Sequence, residues 1–219
     1  MFLGHFAVAI AAKKIDRLPS LGTYILAAQF LDLLWPVFLL VGAEIVLIDP
    51  GNTAFTPLDF VSYPFSHSLV AVVIWAALFG LVYFLVKRTS RAALVLSLVV
   101  VSHWLLDFIT HRPDLPLGLN ETTKVGLGLW HYKWLTVAVE LLLFGLSAYG
   151  YTRDTRPLNR TGQYAWWGLL LFLLLIYIMN ALGDPPSNAE AIGYAGLAQW
   201  LFVIWGYWID RNRQLALEV

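Results

Sequence analysis

Long apolar stretches separated by short polar ones run the whole length of the chain. A helix needs about 20 apolar residues to cross the hydrocarbon core of a bilayer. Six stretches approach or exceed that length, and they cover residues 21–47, 66–86, 92–110, 131–151, 163–182 and 193–209. A shorter helix is expected over the first sixteen residues, ending near Ile15. The pattern predicts an all-α, polytopic transmembrane helix bundle of about seven membrane segments, with a bend in the second at Pro36.

The composition supports an integral membrane protein over a soluble one. Hydrophobic residues make up 59% of the 219 residues and charged residues only 13%, whereas a soluble domain is about 25% charged. We expect one integral membrane domain over residues 1–219, with the polar site in residues 1–115 and a scaffold in residues 131–219. The 14 basic and 14 acidic residues balance, so the sequence gives no reason to expect a nucleic-acid partner. The absence of cysteine excludes disulfides and thiolate metal ligands.

The distribution of basic residues predicts the orientation. With seven segments, eleven of the fourteen basic residues fall on one side of the membrane. These eleven are Lys13, Lys14, Arg17, Lys87, Arg88, Arg91, Arg153, Arg156, Arg160, Arg211 and Arg213. The positive-inside rule then places the N-terminus outside and the C-terminus inside, in a prokaryotic cytoplasmic (inner) membrane. We expect no cleavable signal peptide, because basic residues follow the first apolar stretch and do not precede it.

The fourth segment carries the most informative ionisable residues. His103 and Asp107 are four residues apart, which puts them on one helix face, one turn apart. His111 continues that face by another turn. An ionisable side chain at the bilayer centre costs at least a few kcal/mol unless it is paired or faces a polar cavity. The spacing therefore indicates part of a metal or proton site.

Other segments place ligand-type side chains at similar depths, between the midplane and the outer face. His5 lies in the first segment, Asp32 in the second, and His67 opens the third. Histidine and carboxylate are ligands that zinc and similar divalent ions accept. The metal ligands expected from the sequence are His5, Asp32, His67, His103 and Asp107. A packing role remains open for each of them, since a histidine in a span is often simply hydrogen-bonded to its neighbours.

Two further residues are expected to transfer protons during catalysis. His111 stands at the mouth of the fourth segment, and Glu140 lies near mid-depth in the fifth. Glu44, near the outer end of the second segment, is expected to be solvated. The sequence contains no phosphate-binding glycine loop, no GxSxG element and no HExxH element.

Four elements in residues 1–115 carry a resemblance to a known family. They are Gly4-His5, Asp32, Phe65-Ser66-His67-Ser68-Leu69 and Ser102-His103-Trp104-Leu105-Leu106-Asp107-Phe108-Ile109-Thr110. In this order they resemble the membrane-bound metal-dependent hydrolase family, whose members are also described as LexA-binding, inner-membrane-associated hydrolases. The chain has one carboxylate, Asp32, where the family pattern has two. It also lacks a basic residue that precedes the histidine of the third element.

The resemblance and the polar residues together imply a metal-dependent membrane hydrolase. Its expected cofactor is a divalent metal ion, zinc being favoured, and its expected substrate is a lipid-borne or amphipathic ester or phosphoester near the outer leaflet. Two other classes stay open from the sequence. One is an ion or proton-coupled transporter or channel, in which the same groups form a relay. The other is a structural membrane protein whose metal clamps the helices together.

Overall fold

A computed structural model describes residues 1–216, and most of these residues are helical. The last three residues of the predicted 1–219 domain lie outside the described residues. The helices are α1 (Phe2–Ile15), α2 (Leu21–Ala28), α3 (Phe30–Leu40), α4 (Pro64–His67), α5 (Leu69–Lys87), α6 (Ser90–Thr110), α7 (Lys133–Asp154), α8 (Arg160–Leu182), α9 (Ala189–Leu197) and α10 (Trp200–Arg211). A 3-10 helix covers Leu129–His131.

Three small antiparallel sheets of two strands each join the connecting segments of the described chain. The paired strands are β1 (Ile45–Ile48) with β2 (Leu58–Ser62), β3 (Leu115–Pro116) with β4 (Lys124–Val125), and β5 (Thr155–Pro157) with β6 (Arg213–Leu215). The first two sheets lie in the longer loops, which follow α3 and α6. The third sheet ties the loop after α7 to the segment after α10.

Within residues 1–216, five helical stretches are long and apolar enough to cross a membrane. They are α5, α6, α7, α8 and the stretch Ala189–Arg211 that holds α9 and α10. A sixth is added if α2 and α3 form one bent span. The predicted multi-pass helical membrane fold is therefore confirmed with five to six candidate spans. The first segment, α1, has 14 residues and extends about 21 Å, which is shorter than a hydrocarbon core of about 30 Å.

The second segment differs from its prediction in two ways. It bends by 52° between α2 and α3, at Gln29 and not at Pro36. Pro36 lies inside α3, where its ring packs closely against Gly196 of α9. The segment also stops being helical at Leu40, because the β-branched and apolar residues Ile45–Ile48 pair with β2 instead.

The third segment begins its long helix at Leu69 and not at residue 66. Ser68 has an extended backbone and its side chain accepts a hydrogen bond from the backbone N–H of Ala71, 3.2 Å away. A serine in this position is a strong helix N-cap. The cap separates α4 from α5, and it leaves His67 as the last residue of its own short helix.

The short helix α1 lies inside the bundle. It packs against α2, α6 and α7, and its side chains Leu3, Phe6 and Ala9 are fully buried. In contrast, α5 exposes Val73, Val82 and other apolar side chains, as expected for a helix that faces lipid. The polar side chain of His5, in the first half of α1, therefore faces protein.

Candidate metal centre

Four helices bring five ligand-type side chains together in the interior. The His/Asp cluster consists of His5 on α1, Asp32 on α3, His67 on α4, and His103 and Asp107 on α6. These are the five residues that the sequence analysis singled out as metal ligands. The Asp32 side chain is 25% exposed, and the other four are at most 6% exposed. The cluster is thus buried with one accessible side, at Asp32.

Four separations between its ligand atoms are close to those expected around a tetrahedral metal ion. Asp107 Oδ2 lies 3.1 Å from His103 Nε2 and 3.8 Å from His67 Nε2. Asp32 Oδ1 lies 3.5 Å from His67 Nε2 and 3.6 Å from His103 Nε2. Zinc bonds of about 2.0–2.1 Å give a tetrahedron with edges of about 3.3 Å. Each of these carboxylate–histidine separations therefore suits a shared divalent ion, and the ligand atoms of Asp32, His67 and His103 all lie within 4.8 Å of one another.

A backbone contact fixes the orientation of the His103 ring. His103 Nδ1 is 2.7 Å from the carbonyl oxygen of Ala28, at the end of α2. A carbonyl oxygen only accepts hydrogen bonds, so Nδ1 must carry the hydrogen. In the neutral ring Nε2 then has a lone pair, and within the described chain this buried atom makes no hydrogen bond. A lone pair that faces two carboxylates is stabilised by a cation between the nitrogen and the carboxylate oxygens, either a metal ion or a proton.

His67 is held by a side chain and not by the backbone. Its Nδ1 is 2.7 Å from Ser66 Oγ, which is 2.7 Å from Glu44 Oε2. The expectation that Glu44 is solvated is wrong, because the residue is 1% exposed. Burial raises the pKa of its carboxyl group, and the hydrogen bonds that it accepts from Ser66 and Phe65 oppose that shift. This contact could not be predicted from the sequence, since Glu44 precedes Ser66 by 22 residues and belongs to no motif.

His5 reaches the other oxygen of the same aspartate. Its Nε2 is 3.2 Å from Asp107 Oδ1, to which the Met1 amino nitrogen donates at 2.6 Å. The His5 ring stacks on that of His103, with centroids 3.6 Å apart and planes 5° apart. His5, His103 and Asp107 form one group of potential ligands, and Asp32, His67 and His103 form another. The two groups share His103.

His111 lies in a separate polar group at the end of α6. Its Nδ1 is 2.9 Å from Asp114 Oδ1 and 3.3 Å from the Tyr63 hydroxyl, and its ring packs against Trp130. Burial, and to a smaller extent the charge of Asp114, raises the pKa of Tyr63 well above its ordinary value. The structure does not bring His111 into either group of potential ligands. Its catalytic role stays a prediction.

Glu140 on α7 contacts the first turn of α1. Its Oε2 accepts hydrogen bonds from the backbone N–H of Leu3 at 2.6 Å and of Gly4 at 3.3 Å. The first N–H groups of a helix have no partner within the helix, so this carboxylate acts as a cap supplied by another helix. Its Oε1 is buried and has no hydrogen-bond partner among residues 1–216. The predicted proton-transfer role of Glu140 is neither supported nor contradicted by the cap.

The arrangement can hold a divalent ion between nitrogen and oxygen ligands, with access from the Asp32 side. A ligand set of histidine and carboxylate without cysteine suits zinc and other first-row divalent metals. Comparison of the chain with known proteins finds no matching family model, no matching curated protein and no matching solved structure.

Proposed function

We propose that this protein is a metal-dependent membrane hydrolase that holds one divalent ion, zinc being favoured, in the His/Asp cluster. One observation carries the proposal. The facing carboxylate oxygens of Asp32 and Asp107 lie 3.1–3.8 Å from the Nε2 atoms of His67 and His103. The Nδ1 atoms of both histidines are engaged elsewhere, which leaves Nε2 for the ion.

The accessible side of the cluster favours a reaction over a purely structural clamp. A bound zinc ion would lower the pKa of a coordinated water towards neutrality and polarise the bond to be cleaved. Asp32, at 25% exposure, borders the side from which a substrate and water could enter. Glu140 and His111 are the proposed proton carriers. The buried Oε1 of Glu140 has no partner within the described residues, which meets the general requirement that an acid or base have a free atom to offer.

The proposed setting is a prokaryotic inner membrane, with seven segments, α1 being the short first one, and with the N-terminus outside. The placement of eleven basic residues on one side supports this orientation. In that frame the cluster lies in the outer half of the bilayer, where a lipid-borne or amphipathic ester or phosphoester is the proposed substrate.

The first experiment is a measurement of metal content. The wild-type protein, His103→Ala and the control His131→Ala are purified in detergent, loaded with excess zinc, desalted and analysed by elemental mass spectrometry. His131 is an exposed histidine that belongs to neither group of potential ligands. We expect about one metal ion per chain in the wild type and the control, and almost none in His103→Ala. A wild type without stoichiometric metal would overturn the proposal and favour a proton relay or a dry polar core.

A second experiment separates an enzyme from the two other classes. The loaded and the chelated proteins are incubated with a panel of lipid esters and phosphoesters in mixed micelles. Hydrolysis that depends on the metal, and that His103→Ala abolishes, supports the hydrolase. Bound metal with no hydrolysis in any member of the panel contradicts it and favours a helix-clamping metal or a transporter.

A further inference from the structure

A buried chain of three polar groups leads from the loop after α3 to the His/Asp cluster. Glu44 Oε2 lies 2.7 Å from Ser66 Oγ, and Ser66 Oγ lies 2.7 Å from His67 Nδ1. Glu44 Oε1 also accepts from the backbone N–H groups of Phe65 at 2.9 Å and Ser66 at 2.8 Å. Glu44 and Ser66 are at most 1% exposed, so water does not compete for these bonds.

The hydrogens shared by Glu44, Ser66 and His67 can be counted. Three donors point at Glu44: the N–H groups of Phe65 and Ser66 and the Ser66 hydroxyl. A carboxylate accepts all three, and a hydroxyl has a single hydrogen to give. Once Ser66 donates to Glu44, its oxygen can only accept from His67 Nδ1. The hydrogen of the neutral His67 ring is then on Nδ1, and the lone pair is on Nε2.

We propose that Glu44 and Ser66 are positioning residues that keep the hydrogen of His67 on Nδ1 and so direct its Nε2 lone pair at the cluster. This inference rests on the proposed function, because a lone pair directed at the cluster serves to bind a metal there. The position of the hydrogen on the His67 ring does not itself depend on a metal. Metal-binding histidines commonly donate their second N–H to a carboxylate or carbonyl, which fixes both the tautomer and the ring. Here a serine hydroxyl stands between the histidine and the carboxylate.

The two histidines that share Asp32 thus obtain the same tautomer by different means. His103 donates from Nδ1 to the Ala28 carbonyl oxygen, which no side-chain substitution removes. His67 depends on Ser66, and Ser66 depends on Glu44. The opposite arrangement requires a protonated Glu44 that donates to Ser66, with Ser66 donating to His67 Nδ1. His67 would then carry its hydrogen on Nε2 and could not bind a metal there.

The test reads the tautomer directly in the metal-free protein. Histidine labelled with ¹⁵N is incorporated, the protein is chelated and desalted, and the ring nitrogens are recorded by NMR at about pH 8.5, above the ordinary imidazole pKa. The resonances of His67 are assigned by their loss in His67→Gln. We expect hydrogen on Nδ1 in the wild type, and in Ser66→Ala a shift of the population towards hydrogen on Nε2.

Two matched variants complete the design. Ser66→Thr keeps the hydroxyl and should restore the wild-type tautomer. Ser68→Ala removes the other serine next to His67, whose hydroxyl accepts from the Ala71 N–H and not from the ring, and should leave the tautomer unchanged. Zinc affinity should fall about 10- to 100-fold in Ser66→Ala, the usual effect of losing such a support. Ser66→Thr should recover most of that affinity.

The outcomes separate this inference from the proposed function. Hydrogen on Nε2 in the wild type, or an unchanged tautomer in Ser66→Ala, overturns the inference even if the protein binds zinc. The expected tautomers with no zinc bound by the wild type support the inference and overturn the metal site instead. A Ser68→Ala variant that shifts the tautomer as much as Ser66→Ala would contradict a specific role for Ser66.

Discussion

Replacing Glu140 should destabilise the bundle through the first turn of α1. Glu140 Oε2 accepts from two backbone N–H groups, those of Leu3 and Gly4. Both residues are buried, so bulk solvent does not reach these donors in the folded protein. Glu140→Ala therefore leaves two donors without a partner, whereas Glu140→Gln keeps an oxygen at nearly the same position.

The magnitude follows from the two hydrogen bonds. A hydrogen bond to a charged group contributes about 1.5–3 kcal/mol. The Leu3 bond is short at 2.6 Å and the Gly4 bond is long at 3.3 Å, so we expect Glu140→Ala to lose about 3–4 kcal/mol in total. Glu140→Gln exchanges charge-assisted bonds for neutral ones of about half the strength and should lose about 1.5–2 kcal/mol. For a chain of this size each kcal/mol corresponds to about 2–4 °C in Tm.

The assay is thermal unfolding of the three proteins in one detergent, followed by circular dichroism and tryptophan fluorescence. We expect Tm to fall by about 6–16 °C in Glu140→Ala and by about 3–8 °C in Glu140→Gln. A Glu140→Ala protein within about 3 °C of the wild type would refute the capping role. Equal losses in both variants would show that the charge matters and the acceptor does not.

Three other predictions concern the packing and the cluster. A Cβ at Gly206 would lie 2.8 Å from the backbone of α2, so Gly206→Ala should cost about 1–3 kcal/mol in the same unfolding assay. A Cβ at Gly145 would meet no atom within 4 Å. Gly145→Ala should therefore raise the free energy of unfolding by about 0.5–1 kcal/mol. Arg213 is buried and donates through its planar guanidinium to several oxygens, so Arg213→Lys should lower Tm. The control Arg211→Lys changes an exposed arginine, and its free energy of unfolding should stay within about 0.5 kcal/mol of the wild type. Equal losses of stability in the two variants would contradict a specific role for the Arg213 guanidinium. His5→Ala should weaken zinc binding yet retain stoichiometric metal in elemental analysis, because one group of potential ligands excludes His5. Complete loss of the metal would make His5 an essential ligand.

The membrane helices were predictable because their signal is local and strong. The apolar run at 92–110 corresponds to α6 (Ser90–Thr110), and the run at 163–182 corresponds to α8 (Arg160–Leu182). Segment ends were less predictable where tertiary contacts compete. The apolar residues Ile45–Ile48 suit a helix in lipid, but they pair with β2 as a strand.

The bend in the second segment was predicted at the wrong residue for a related reason. Proline lacks an N–H group and often kinks a helix, so Pro36 was the natural choice. In the folded bundle Pro36 packs against Gly196, and the helix breaks at Gln29. The break places the Ala28 carbonyl against His103, a contact to which no feature of the sequence pointed.

Which residues are costly to bury in lipid, and hence which ones the fold would have to bring together, could be read from the sequence alone. His5, Asp32, His67, His103 and Asp107 stand out because an ionisable group among apolar residues needs a partner. How they are supported was set by the packing of the helices, since the hydrogen bonds among Ala28, Ser66, Glu44 and the two histidines depend on distance and direction between elements. The pairing of His111 with Asp114, and the contact of Glu140 with the first turn of α1, were decided there too. Spacing along a chain specifies a helix face, but the neighbour that this face meets depends on how all the helices pack.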